Sequence, residues 1–177
     1  MKIILRFSLV LAAIMLVNGC SYKQQDGTSQ QKGSFPPELA GTWIAGEGNW
    51  KIIFDPNGKL NSIVYYFMIN PLIVEQGGGY DLYDDGSVRT LCIFGPINVN
   101  YNEPNNFLTL KIKIDQFEMN RAAGLLTGWM DDTFEGKLSE DKKTWYVKWL
   151  STTKFDQFDE PSKTVYDLVF TKADNNL

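Results

Sequence analysis

The feature that most constrains the fold is a stretch in which apolar and polar residues alternate one by one. In residues 106–115 (NFLTLKIKID), every second position is apolar, namely Leu108, Leu110, Ile112 and Ile114. Successive side chains of a β-strand point to opposite faces, so this spacing places all four on one face. The stretch therefore predicts a strand with one buried face and one wet face, as is common in antiparallel sheets.

Turn signals divide the rest of the chain into further strands of this kind. The sequence DPNG at residues 55–58 lies between two apolar runs, and DG at residues 85–86 lies between two more. Because proline presets φ and glycine accepts positive φ, both sequences predict the tight turns of hairpins. We therefore expect an all-β fold, and within that class an antiparallel up-and-down β-barrel of about 8 strands.

Residues 1–19 have the pattern of an export signal. The basic residues Lys2 and Arg6 precede an apolar run at residues 7–17. This run is shorter than the roughly 20 residues of a membrane-spanning helix. The run ends in LVNGC at residues 16–20, which resembles the lipobox of bacterial lipoproteins. That resemblance implies cleavage before Cys20, lipidation of its sulfur and anchoring in an envelope membrane. The alternative is an ordinary signal peptide with an incidental cysteine.

The residues after Cys20 predict a tether and then one domain. Ser21 stands where inner-membrane lipoproteins typically have Asp, so the resemblance favours the periplasmic face of the outer membrane. Residues 20–37 are rich in Gln, Ser, Gly and Lys, a composition typical of flexible linkers. Residues 38–174 have the length of a single domain. We therefore expect a signal peptide at 1–19, a lipidated tether at 20–37 and a barrel domain at 38–174.

Charge and cysteine content exclude several classes of protein. The chain has 17 basic and 21 acidic residues. Loss of residues 1–19 removes basic residues but no acidic ones, so the net charge becomes more negative. Nothing in this balance resembles the basic footprint of a nucleic-acid-binding protein. With Cys20 lipidated, Cys92 is the one remaining cysteine and has no partner for an internal disulfide. Its apolar neighbours favour a buried small hydrophobe over a reactive thiol.

The first predicted strand carries a second resemblance. The sequence Gly41-Thr42-Trp43 is similar to the G-x-W opening of lipocalins and their avidin-like relatives. In those barrels the Trp packs across the closed end, and a late-strand Arg commonly covers it. This chain has no Arg after Arg121, so the resemblance gives that place to Lys172. It implies a lipocalin-like (calycin) barrel.

The chain contains no histidine. This excludes Ser-His and Cys-His nucleophile pairs and the zinc and iron sites that need a histidine ligand. Most paired carboxylates fall where turns are expected, and acidic turn residues are usually only solvated. We therefore expect no enzymatic activity, no catalytic residue, no metal site and no cofactor.

Asp132 is the acidic residue that stands apart, because it shares strand parity with the apolar Met130, Phe134 and Leu138. A carboxylate that faces a barrel interior is costly unless it has a partner. Three interpretations remain open: an orienting group in a ligand pocket, a β-bulge that shifts the register, or a buried Lys or Arg partner. With the aromatic residues of the same and the neighbouring strands, the candidate ligand-binding residues are Trp43, Met130, Asp132, Phe134, Trp145 and Trp149.

The apolar run at residues 67–74 (FMINPLIV) contains Pro71 and is followed by glycines. Proline argues against a central strand. The run predicts either a strand continuation over the barrel end, or an apolar lid or docking patch for a partner.

These observations leave three functional classes. The first is a membrane-anchored envelope lipoprotein that binds a small apolar ligand, since a barrel of about eight strands can hold one such molecule. The second is an envelope lipoprotein that binds a protein, as an assembly factor or an enzyme inhibitor does, with no small-molecule ligand. The third is a carboxylate-based enzyme, which we do not favour.

Overall fold

A computed structural model describes residues 35–46, 49–65, 71–74, 77–83, 85–122 and 124–173. The predicted signal peptide, Cys20 and most of the predicted tether lie outside these residues. Within them, no helix is long and apolar enough to cross a membrane. The strands are β1 Gly41–Ala45, β2 Trp50–Phe54, β3 Leu60–Val64, β4 Leu72–Ile73, β5 Gly78–Leu82, β6 Val88–Asn102, β7 Phe107–Arg121, β8 Gly124–Leu138, β9 Thr144–Phe155 and β10 Ser162–Lys172.

The strands form a closed antiparallel barrel in which each strand pairs with its neighbours in sequence. Pairing between β1 and β10 closes the circle. This confirms the predicted all-β, up-and-down barrel, although it has ten strands rather than about eight. One added strand is β4, which is only two residues long and lies in the apolar run at residues 67–74. Its pairing with β3 makes this part of the run a strand; residues 67–70 lie outside the described part.

The strands fall into a short set, β1 to β5, and a long set, β6 to β10, which follow one another along the chain. Strands β1 to β5 have at most five residues each, whereas β6, β7 and β8 have 15 each. Residues 88–94 and 97–101, which the sequence presents as two runs, form the single strand β6 with register shifts around Phe94. Where the barrel closes, the long strand β10 therefore extends well past the short strand β1 that pairs with it.

The residues of the G-x-W sequence lie where β1 and β10 pair to close the circle of strands. Trp43 is fully buried, and its Nε1 donates a 2.9 Å hydrogen bond to the carbonyl of Leu39 in the short 3-10 helix Pro37–Leu39. Lys172 pairs with Trp43 across the β1–β10 ladder, and its Nζ donates to the carbonyl of Glu38. The side chain of Glu38 in turn accepts from Lys142 at 2.7 Å. The position that the resemblance gave to Lys172 is thus beside Trp43.

The domain begins before the predicted boundary at Glu38. The ring of Phe35 lies 5.6 Å from that of Phe54 on β2 and packs over the turn glycine Gly58. Residues 35–37, predicted as tether, therefore pack on the barrel.

Both predicted hairpin turns are present. Gly58 has φ of 81°, and its N–H donates to the carbonyl of Asp55 at 3.0 Å. Gly86 has φ of 81° and donates to the carbonyl of Tyr83 at 2.9 Å. Glycine adopts positive φ without the penalty that a Cβ imposes, which explains why these turns form where they do.

Two glycines on the buried face of β8 bring the backbones of β8 and β9 close together. A Cβ on Gly136 would overlap the carbonyl oxygen of Tyr146, and a Cβ on Gly128 would overlap that of Lys154. Glycine in a strand often marks such a close approach or a bend of a barrel wall. These two positions therefore shape the wall that carries Asp132.

Candidate functional site

The candidate site is built around Asp132, which lies in the middle of β8. Its neighbours in the sheet are Ile112 on β7 and Ser151 on β9. The side chain is almost fully buried, as are those of Met130 and Phe134 on either side of it along the strand. The predicted inward direction of Asp132 is therefore confirmed.

Two hydrogen-bond donors from distant parts of the chain satisfy the buried carboxyl. The hydroxyl of Tyr65, next to the end of β3, donates to Oδ2 of Asp132 at 2.6 Å. Nε1 of Trp149 on β9 donates to Oδ1 at 3.1 Å. The hydroxyl of Ser151, the neighbour of Asp132 on β9, also favours the charged form of the carboxyl. The carboxyl is thus held by neutral donors.

This arrangement excludes two of the three interpretations of Asp132 that the sequence left open, the β-bulge and the buried Lys or Arg partner. The pairing of β8 with both neighbours runs without a register shift at Asp132, so no bulge turns the side chain inward. The ion pairs among the described residues do not include Asp132, so it has no Lys or Arg partner there. The buried ion pair that the described residues do contain is between Asp81 and Arg89, where Nε of Arg89 donates at 2.6 Å.

Burial dominates the protonation of the site. It raises the pKa of Asp132 to about 6, although the hydrogen bonds from Tyr65, Ser151 and Trp149 favour the charged form. Burial, and then the neighbouring Asp132 charge, raises the pKa of Tyr65 well above its usual value. The Tyr65 hydroxyl therefore keeps its proton and remains a donor to the carboxyl.

Cys92 lies in the same environment. The side chain is buried, and burial together with the charge of Asp132 raises its pKa to about 12. A thiol is nucleophilic only as the thiolate. The structure therefore confirms Cys92 as a buried small hydrophobe rather than a reactive thiol.

Aromatic rings fill the interior next to Asp132. Trp50 on β2 lies at their centre, with ring-centroid distances of 4.8 Å to Trp149, 5.6 Å to Tyr65 and 5.9 Å to Phe134. Phe134 also stacks on Trp149 with an interplanar angle of 19°. Both donors to Asp132 are therefore held in place by packing as well as by hydrogen bonds.

Tyr166 extends this cluster to solvent. It lies opposite Trp149 in the β9–β10 ladder, on the same face of β10 as the buried Phe170. Its ring stacks on Trp149 with a centroid distance of 5.6 Å and an interplanar angle of 13°. Yet 54% of Tyr166 is exposed. A continuous path of contacts thus joins an exposed ring to the buried carboxyl through Trp149.

The structure separates the six predicted ligand-binding residues into groups. Asp132, Phe134 and Trp149 lie together in the cluster. Trp43 and Trp145 are fully buried, with their rings in an edge-to-face contact at 6.3 Å. Met130 lies one step along the buried face of β8 from Asp132.

Sequence reasoning missed Trp50, Tyr65 and Tyr166 as members of the site. Tyr65 is 67 residues from its hydrogen-bond partner, and no local pattern signals a contact over that separation. Tyr166 did carry a signal, since it shares parity with Phe170 and so belongs to the inner face of β10.

A shallow groove of about 470 Å³ lies on the outer surface, where β8, β9 and β10 are side by side. Its walls include Glu135, Tyr146, Lys148 and Asp167, and it contains none of the six predicted residues. The groove and the Asp132 cluster are therefore different features of the same wall.

The described residues contain no group of three or more His, Cys, Asp or Glu side chains placed to hold a metal ion. Comparison of the chain with protein-family models, with curated proteins and with solved structures found no match. The features that bear on function are therefore the barrel, the Asp132 cluster and the N-terminal sequence.

Proposed function

We propose that this chain is a lipid-anchored protein of the bacterial envelope that binds a small apolar ligand on the exposed part of its inner barrel face. The observation that carries the ligand proposal is the stack of Tyr166 on Trp149, at a position that faces inward and is open to solvent. A large exposed ring backed by a second ring offers a flat apolar surface. Such rings recognise flat apolar molecules by stacking.

Asp132 acts in this proposal as a positioning residue. Its carboxyl accepts the Nε1 hydrogen of Trp149, and the Trp149 ring is the backing for Tyr166. The carboxyl thereby fixes the plane of Trp149 without reaching the solvent itself. Phe134 supports the opposite side of the same ring.

A neutral fluorescent probe, N-phenyl-1-naphthylamine, tests the ligand site. Tyr166→Ala removes the exposed ring, and we expect about 3- to 10-fold weaker probe binding, the value of one lost aromatic stack. Tyr146→Ala is the matched control, because Tyr146 is equally exposed (56%) on the outer face of neighbouring β9. Equal loss in both variants, or loss in Tyr146→Ala alone, would exclude the proposed site.

The anchor is supported by the lipobox-like sequence that ends at Cys20. Two acyl chains hold a protein stably at a membrane, whereas one chain holds it weakly. Expression with labelled palmitate tests this part separately. We expect label in the wild type and in Cys92→Ser, and none in Cys20→Ser, because thioether formation needs that sulfur. Label on Cys20→Ser would contradict the anchor and leave the ligand site untouched.

A second candidate function, protein binding, is favoured by an apolar patch on the outer face. Tyr80 on β5 lies opposite Leu91 on β6, and Ile93 is two residues further along β6. All three side chains are exposed. Native mass spectrometry of the protein released from its own envelope distinguishes the candidates. A retained small molecule supports the first, and a retained protein that Ile93→Lys releases supports the second.

A further inference from the structure

Strand β10 has a long edge that no other strand of the described residues covers. On one side it pairs with β9 from Ser162 to Thr171. On the other side β1 pairs only with Thr171 and Lys172. Among the described residues, no strand pairs with residues 162–170 on that side. The backbone N–H and C=O groups of such an edge are able to pair with another strand.

The side chains of this edge are not those of an edge strand that is protected against pairing with another chain. Val165 and Val169 point outward and are exposed, at 58% and 53%, and Tyr166 is exposed on the other face. Natural edges are usually short, or carry charges of one sign that repel a second copy. Here a run of nine residues presents exposed apolar groups together with one Lys and one Asp, whose charges are opposite.

The charges of the edge are arranged symmetrically. Lys163 and Asp167 lie two residues before and two residues after Val165, on the same outward face. Both are exposed, and neither takes part in the ion pairs found among the described residues. An antiparallel pairing of β10 with itself, centred on Val165, places Lys163 of each copy opposite Asp167 of the other. Opposite charges at directly opposed positions stabilise an antiparallel pair.

The same pairing continues a row of alternating charges on the outer surface. Glu135 on β8 is in register with Lys148 on β9, and Lys148 is in register with Asp167 on β10. The row ends at Asp167 because β10 is the last strand there. Lys163 of a second copy is the next member that keeps the alternation.

We propose that a second copy of this chain docks on the open edge of β10, with the two strands antiparallel and centred on Val165. The contact is isologous, since each copy offers the same residues. It joins two barrel walls into one continuous sheet and places Thr164 of one copy beside Tyr166 of the other. This contact requires neither the ligand nor the lipid anchor.

Cysteine cross-linking in intact cells tests the centre of the contact. Directly opposed residues of an antiparallel pair have Cα atoms about 4.5–5.5 Å apart, within the range of a disulfide. With diamide as the oxidant, Val165→Cys should give a disulfide-linked dimer. Val169→Cys is the matched control: it is similarly exposed, but its counterpart in this register is Pro161 rather than itself. The wild-type chain gives the background from its own cysteines.

Charge reversal tests the register. In the Val165→Cys chain, Lys163→Asp and Asp167→Lys should each lower the cross-linked fraction severalfold, because each places like charges opposite each other. Co-expression of the two variants should restore cross-linking between them, since positions 163 and 167 of the two copies then again carry opposite charges. Lys137→Asp, an equal change on an exposed residue of β8, should have no effect.

Three results of these experiments, and a fourth given last, would overturn the proposal. They are absence of a Val165→Cys dimer, equal cross-linking at positions 165 and 169, and failure of the mixed charge variants to exceed either one alone. A cross-link from position 165 to a different protein would also overturn it, because that result assigns the edge to another partner.

Discussion

The hydroxyl of Tyr65 and Oδ2 of Asp132 are 2.6 Å apart, and both side chains are buried. The contact joins the end of β3 to the middle of β8 across the interior of the barrel. It gives a buried carboxyl a neutral partner that holds its own proton. The stability of the barrel should therefore depend on pH through Asp132 rather than through a buried ion pair at this site.

Asp132→Asn tests this relationship. The pKa of the Asp132 carboxyl is about 6 in the folded chain, against a usual 3.8. Because the folded state binds the proton more tightly, the stabilising contribution is complete below about pH 4 and is lost as pH rises through 6. The difference between the two pKa values corresponds to about 3 kcal/mol of unfolding free energy. The Asn variant should lack this decline, because its amide does not titrate in this range.

Thermal or denaturant unfolding between pH 4 and pH 7 measures this difference. Asp131→Asn is the matched control, since Asp131 is exposed on the opposite face of the same strand. The control should retain the decline. A decline of the same size in Asp132→Asn would show that a group other than the Asp132 carboxyl causes it.

The thiol of Cys92 should react only when the barrel opens. Its pKa of about 12 and its burial leave almost no accessible thiolate at neutral pH. In the Cys20→Ser chain, where Cys92 is the only cysteine, we expect slow reaction with Ellman's reagent in buffer and rapid reaction in denaturant. Rapid reaction in buffer would mean that the site around Asp132 is open to solvent.

The ion pair between Asp81 and Arg89 should be worth far more than a surface pair. The Asp81 side chain is fully buried and that of Arg89 is 19% exposed. Loss of one partner from such a buried pair costs about 3–5 kcal/mol, so Arg89→Met should strongly lower the free energy of unfolding. Lys113→Met is the control, because its pair with Asp115 is about half exposed; there we expect about 0–1 kcal/mol. Similar losses in the two variants would contradict the assignment of a buried pair.

Gly136→Ala should destabilise the wall between β8 and β9. The added Cβ overlaps the Tyr146 carbonyl oxygen, so the backbones must separate, and overpacking of this kind costs about 1–3 kcal/mol. Chemical denaturation of Gly136→Ala and of the wild type measures the loss. A Gly136→Ala variant as stable as the wild type would show that the close approach is absent.

The sequence by itself determined the local structure of this protein. Alternation in residues 106–115 predicted β7 with its buried face, and the glycines at 58 and 86 marked turns, because both signals depend on neighbouring residues alone. Parity along β8 also predicted that Asp132 faces inward. The anchor at Cys20 is of the same local kind, and it remains a prediction that labelling will test.

Only the tertiary structure decided what Asp132 meets and where the barrel stays open. Tyr65 and Trp50 reach the site from strands on the far side of the barrel, and their contacts exist only once β1 pairs with β10. The same closure involves just two residues of β10, so Tyr166 is exposed and no strand of the described residues pairs with residues 162–170 on that side. Strand length and stagger determine that outcome. They are properties of the whole sheet, to which every strand contributes, and no single stretch of sequence encodes them.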